Sequence, residues 1–413
     1  MPLSFRHMVL FPVNACKPRA HKIVTASAVL IFVGAAIFTV NPSEVLSLDE
    51  EGFMAPAAID SFIQPLFEGY SPPTATNGVE VYELRIRSRY PDGTPTVVRV
   101  QLFLPDIPPE DIGGVYLFAP GSTGLIEPCR ASREHVAGIR WGLYRAHVLA
   151  FAGQGVIGVL PDYIGFEDTH LVQPYFHAAS EARVIFDALD AVHHWIREAT
   201  SRFPEGLTAY TRVAGGFSQG GHAVFAAADH NPGRGTNLTL HGVIGYGPTT
   251  EIPPLFLTFP SLAPMLVEAY STIYGTDRFD PGRILASRWA ESLTYDTTRQ
   301  CVGGMQSYYP TDPSLVFEER FLESLYAGTL HRTHREIASI LQENSTGLTP
   351  HRVPSLILQG TDDIVVARST QDEFVASLRV LGNEVDYRVY EGTRHDTRQQ
   401  AFSDVLEWIR ELR

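Results

Sequence analysis

The chain has 413 residues, 44% apolar and 19% charged, which is ordinary globular usage and enough to bury a large core. Its net charge of −14 excludes a nucleic-acid surface, because affinity there rests on Lys and Arg neutralising phosphates. No Pro-, Ser- or Gly-rich linker divides the chain after residue 50, so one catalytic domain carrying an insertion is expected over residues 79–413.

Residues 1–22 form a basic segment with Lys17, Arg19 and Lys22, and residues 23–40 follow without a charged side chain. Glu44, Asp49, Glu50 and Glu51 come next. Positive residues stay in the cytosol, so this order predicts an N-terminus inside and the bulk of the chain exported. The apolar run is long for a signal peptide's core and just long enough to span a bilayer. An uncleaved membrane anchor and a cleaved signal both fit it. Residues 41–78 read as a linker region. Export would allow a disulfide between Cys129 and Cys301, whereas Cys16 lies on the other side of the apolar run. The three cysteines lack metal-ligand spacing, and neither a metal nor a cofactor is expected.

From residue 79 strand-like and helix-like segments alternate. Val79 to Arg87 and Thr96 to Leu104 read as two strands joined by the turn Pro91-Asp92-Gly93. The short apolar run Val115 to Ala119 ends in Pro120-Gly121, a helical stretch covers Glu134 to Gln154, and Val156 to Leu160 is another buried strand. A helix over Ala178 to Ile196, with His193 and His194 at its surface, precedes the strand Arg212 to Phe217. A small-residue helix at 219–229 and the strand Leu240 to Tyr246 follow. Late in the chain come strand Ser355 to Gln359, helix Thr370 to Leu381, strand Glu384 to Tyr390 and helix Gln399 to Leu412. Short apolar strands alternating with helices imply an α/β fold, a mainly parallel sheet covered on both faces. The alternation breaks down over about 248–350, where helical patches and aromatics without a clear strand predict a cap.

The strongest local signal is Gly215-Gly216-Phe217-Ser218-Gln219-Gly220-Gly221. A Gly-x-Ser-x-Gly stretch between a strand and a helix is a nucleophile elbow, the mark of the α/β-hydrolase fold. The residues two places either side of Ser218 must be small, and the following helix points its positive end at a developing oxyanion. A serine hydroxyl needs a histidine to take its proton and a carboxylate to orient that histidine, in the order Ser, acid, His for this fold. The strand at 355–359 ends in Gly360-Thr361-Asp362-Asp363, where Asp363 holds the favoured acid position and Asp362 competes. Among 15 histidines, His395 lies in the loop after the last strand, where the base belongs. His222 precedes every candidate acid and is expected to pack beside the elbow. The oxyanion donors are expected to be the backbone amides of Gln219 and Ser122, with Thr123 close behind.

Several motifs together resemble the secretory lipase family, bacterial and fungal relatives of yeast secreted lipases. They are the elbow, the segment Pro161-Asp162-Tyr163-Ile164-Gly165-Phe166, Pro174-Tyr175, the helix opening Ala179-Ser180-Glu181-Ala182, Glu343-Asn344-Ser345, and Gly360-Thr361-x-Asp363. The resemblance runs from about residue 115 to the end. It implies export, hydrolysis of esters of acyl chains, a helical lid, and a Ser–Asp–His triad at Ser218, Asp363 and His395. Many relatives carry His-Gly where this chain has Pro120-Gly121, which bears on the Ser122 assignment. The insertion opens with Ile252-Pro253-Pro254-Leu255-Phe256-Leu257, an apolar sequence that serves either as a wall for an acyl group or as the cap's own core. A small-molecule or lipid ester is the expected substrate. The alternatives are a serine peptidase or acyltransferase on the same fold, or a binding module that has lost catalysis.

Overall fold

Strands β4 (Val115–Ala119), β5 (Ile157–Pro161), β7 (Gly242–Tyr246) and β8 (Ser355–Gly360) are buried at every residue. Strands with both faces covered read as continuous apolar runs, and such strands pair in parallel. In the computed structural model, which describes residues 44–231 and 238–412, they form the centre of one nine-stranded sheet. The remaining strands are β1 (Val45–Met54), β2 (Val79–Arg89), β3 (Pro95–Pro105), β6 (Arg212–Phe217) and β9 (Val385–Tyr390). Their order is β1-β2-β3-β5-β4-β6-β7-β8-β9, antiparallel from β1 through β5 and parallel from β5 to β9. This is an α/β-hydrolase sheet.

The sheet starts earlier than the sequence implies. Residues 45–54, read as linker, form the edge strand β1 against β2, and helix α1 (Pro56–Ile63) buries Ile59 and Ile63 in the core. β1 is largely exposed, held by backbone pairing with a register shift between Glu50 and Gly52, so no apolar alternation betrays it. The segment expected as one helix over 134–154 is two, α2 (Glu134–Ala137) and α3 (Tyr144–Ala152), parted where Gly138 takes a left-handed φ of 66°. The apolar run 23–40 and the basic segment before it lie outside the described residues. Among the described residues no single helix is long and apolar enough to cross a membrane.

Helices α4 (Ala178–Ala199) and α5 (Gln219–His230) bury apolar residues on one face of the sheet, while α1 and α3 do so on the other. His193, expected at the surface, is buried, and its Nδ1 accepts the Leu207 amide at 3.0 Å. Residues 248–350 form the helical cap, with its own apolar core. Its helices are α6 (Ile252–Thr258), α7 (Ala263–Tyr274), α8 (Ser287–Thr297), α9 (Val302–Tyr308), α10 (Pro313–Val316), α11 (Glu319–Tyr326), α12 (Leu330–Thr333) and α13 (Arg335–Glu343). Helices α14 (Arg368–Val380) and α15 (Phe402–Glu411) complete the chain.

Candidate active site

The sharp turn between β6 and α5 fixes the position of Ser218. It sits at φ 54°, ψ −112°, a conformation that costs a non-glycine residue free energy and must be held by its surroundings. The Ser218 amide donates to Tyr246 O at 3.0 Å, while its carbonyl accepts from His222 N and Thr249 N. A Cβ on Gly216 would meet the carbonyl oxygen of Gly220 at 1.9 Å, and one on Gly220 would meet that of Ala119 at 1.9 Å. Small residues are therefore a steric requirement of this turn.

Ser218 and His395 line one cavity of about 270 Å³ at the carboxyl ends of the parallel strands. His395 stands in the loop after β9. Its Nδ1 lies 2.8 Å from Asp363 Oδ2, at the end of β8. The carboxylate of Asp363 is buried and also accepts the amides of Val365 and Val366 at 2.8 and 2.9 Å. Asp362, its competitor, is exposed, and its carboxylate accepts from the hydroxyl of its neighbour Thr361. The other ring nitrogen of His395, Nε2, is buried with no hydrogen-bond partner among the described residues. No hydrogen bond joins it to Ser218 Oγ, and catalytic contacts of this kind commonly tighten only when substrate binds.

Ser122 lines the same cavity, its hydroxyl 2.7 Å from that of Tyr175. Thr123 is buried instead, with its carbonyl accepting the amide of Val302 at 2.8 Å. Gln219 follows the serine as the first residue of α5, so its amide belongs to the unpaired set at a helix N-terminus. Cys129 and Cys301 are joined by a disulfide. Together with the Thr123–Val302 bond, it ties the loop after β4 to α9, which supplies Val302, Gly303 and Gln306 to the cavity.

Three supporting groups escape sequence reasoning. Glu181 is buried in the first turn of α4. Its Oε1 accepts the side-chain amide of Gln219 at 2.8 Å and the backbone amide of Phe176 at 3.1 Å, and its Oε2 lies 2.5 Å from His222 Nδ1. His222 Nε2 faces the carbonyl of Asn344 at 2.6 Å. Burial, followed by neighbouring His222 and Arg183, pushes His177 down to about 4. Phe176, a cavity wall at φ 55°, is clamped from its other side by Tyr270 OH on its carbonyl at 2.7 Å. Arg398, fully buried, pairs with Asp396 beside His395, stacks 4.8 Å from the Phe217 ring, and donates to Gly142 O at 2.7 Å. Glu134, also buried, accepts the amides of Gly142, Leu143 and Tyr144 at 2.7 to 3.0 Å. The readable signals were faint: an acid in the first turn of a helix, and Arg two places after Asp.

A sequence model of the family described as serine aminopeptidase, S33, matches residues 138–399, a span that holds Ser218, Asp363 and His395. The chain belongs to that family. No curated protein sequence matches it. Among solved structures, it resembles the rice cell wall degrading esterase LipA from Xanthomonas oryzae with a TM-score of 0.70 at 18% identity, covering 90% of this chain and 96% of that one. Candida antarctica lipase A superposes with a TM-score of 0.63 at 16% identity, covering 86% and 78%. At such identities the likeness is one of fold, and it places this S33 family member among α/β-hydrolases.

Proposed function

We propose that this enzyme hydrolyses carboxylic esters with an apolar acyl group through an acyl-enzyme on Ser218. His395 Nε2 takes the hydroxyl proton as Ser218 Oγ attacks the ester carbonyl. The amides of Gln219 and Ser122 receive the oxyanion, and Asp363 orients the ring and stabilises its charge. Collapse expels the alcohol, which takes the proton from His395. Water, deprotonated by the same ring, then releases the acid and restores Ser218.

The observation that carries the reading is the lining of the cavity. Leu255, Phe256, Phe259, Leu262 and Leu266 from α6 to α7 give it an apolar wall suited to an acyl chain. The family description favours a second reading, an aminopeptidase. Such an enzyme needs an anionic group to recognise the substrate's ammonium, yet no Asp or Glu among the described residues lines this cavity. An exported location, by anchor or cleaved signal, is part of the proposal. It is supported by the basic-then-apolar order of residues 1–40 and by a disulfide that persists only in oxidising compartments.

The test compares p-nitrophenyl acyl esters with aminoacyl p-nitroanilides, for wild type and Ser218→Ala, alongside labelling by a fluorophosphonate. Ester turnover and labelling that both vanish in the variant are expected. Efficient anilide cleavage without ester cleavage would establish the peptidase instead, and turnover retained by Ser218→Ala would remove the serine from the mechanism.

A further inference from the structure

We propose that Arg140 selects esters that carry an anionic group, so that the preferred substrate is an amphiphilic acid ester rather than a wholly neutral one. This rests on the ester reading above and narrows it.

Among the described residues that line the cavity, Arg140 is the one side chain that carries a full charge irrespective of His395, the others being apolar, hydroxyl-bearing or amide side chains. No hydrogen bond or ion pair engages its guanidinium among the described residues, although acidic groups outnumber basic ones by 14 in the chain as a whole. Arg140 is exposed at the cavity's edge, free to meet a bound anion. Here it faces the same space as the nucleophile, together with Trp141 and Gln306 and away from any carboxylate lining.

The loop that carries it is built rather than slack. Immediately after Arg140 and Trp141, three successive amides converge on the buried carboxylate of Glu134, and the carbonyl of Gly142 accepts from buried Arg398. Leu143 is held at a positive φ of 52°, a conformation that only such over-determination sustains. The backbone next to Arg140 is thus preorganised, which lowers the entropic cost of using its side chain in recognition. A guanidinium offers a planar fork of donors matched to a carboxylate or phosphate. It has the wrong sign for an ammonium and the right one for an acid.

The anion can sit on either side of the scissile ester, and two substrate pairs separate these cases. Mono-p-nitrophenyl suberate against p-nitrophenyl octanoate places the charge on the acyl tail. The octanoate ester of para-hydroxybenzoate against that of its methyl ester places it on the alcohol. The readout is the ratio of kcat/KM for the charged member to that for the neutral member, at low salt, within each variant. Arg140→Gln is expected to lower this ratio about tenfold in one of the pairs, Arg140→Lys to restore part of it, and Arg140→Glu to lower it further. Raising the ionic strength should shrink the wild-type ratio and leave that of Arg140→Gln unmoved. Neutral esters turned over with both ratios equal in wild type and Arg140→Gln would overturn the role of Arg140 alone. Failure to hydrolyse any of the four esters would overturn the ester reading and this inference with it.

Discussion

Replacing Glu181 with alanine tests whether one carboxylate holds the elbow, the pocket wall and the cap together. The substitution strips the partner from three buried polar groups at once: the Gln219 side-chain amide, the Phe176 amide and the His222 ring. A buried polar group left without a partner costs about 1–3 kcal/mol, so three would cost roughly 3–9 kcal/mol before relaxation. Water entering the vacated space offsets part of this, which leaves the lower half of that range. We therefore expect Glu181→Ala to lower the unfolding free energy in urea by about 3–5 kcal/mol. Glu181→Gln should cost far less, on the order of 1–2 kcal/mol. Its oxygen still accepts from Gln219 and Phe176, and its amide group can still hydrogen-bond the His222 ring nitrogen. Activity should follow the same order, because Gln219 carries a proposed oxyanion donor and Phe176 lines the cavity. A Glu181→Ala protein within about 1 kcal/mol of wild type, or a glutamine variant as damaged as the alanine one, would refute the argument.

Asp162 gives a pH test. Burial is the main cause that pushes its carboxyl up to about 6, against the Ser132 hydroxyl and amide that favour the charged form. The folded state therefore holds this proton more tightly than the unfolded chain, and the stability it contributes is full below about 4 and lost as pH rises through about 6. Asp162→Asn, which keeps partners for Ser132, should gain on wild type by roughly 3 kcal/mol between pH 4 and 7 in urea titrations, and a flat difference would contradict this. The disulfide closes a loop with a sequence separation of 172, for which the chain-entropy model gives about 5 kcal/mol. Replacing both Cys129 and Cys301 with serine should lower the urea midpoint and raise KM more than it lowers kcat, since α9 lines the cavity; an unchanged midpoint would show the cap is held without it. Gly220→Ala should cost about 3 kcal/mol or more, because its Cβ would fall 1.9 Å from the Ala119 oxygen, and a variant that melts with wild type would contradict the elbow geometry.

The central sheet was legible because its strands are buried on both faces and so announce themselves as apolar runs: the limits expected for Val115–Ala119 and Arg212–Phe217 are those observed. β1 was not, since an edge strand with a wet face needs only backbone pairing, and its Asp49-Glu50-Glu51 run reads as solvated chain. The break between α2 and α3 was written in Gly138 and Gly142, but the apolar spacing on either side bridged it. His193 could have been placed correctly, because it shares a helical face with Leu189 and Ile196, both buried.

The same distinction separates the parts of the site. Ser218, Asp363 and His395 were readable because each sits where a strand ends, and a strand end is marked locally by glycines and by the run before it. The geometry of Asp363 with His395 then follows from β8 and β9 being neighbours in parallel register. Glu181 stands in the motif Ala179-Ser180-Glu181-Ala182, but nothing local marks what it binds. Its partners are five, 38 and 41 positions away, and they meet only after α4 packs on α5 and the cap closes over both. Packing of that kind is satisfied collectively: a buried carboxylate is tolerated only if every donor arrives, so no single contact can be inferred before the fold is known. Local sequence therefore points to the proposed reacting atoms, while the groups that hold them still are specified by tertiary structure. That is why the decisive perturbation for this site is Glu181, which touches neither the proposed nucleophile nor the proposed base.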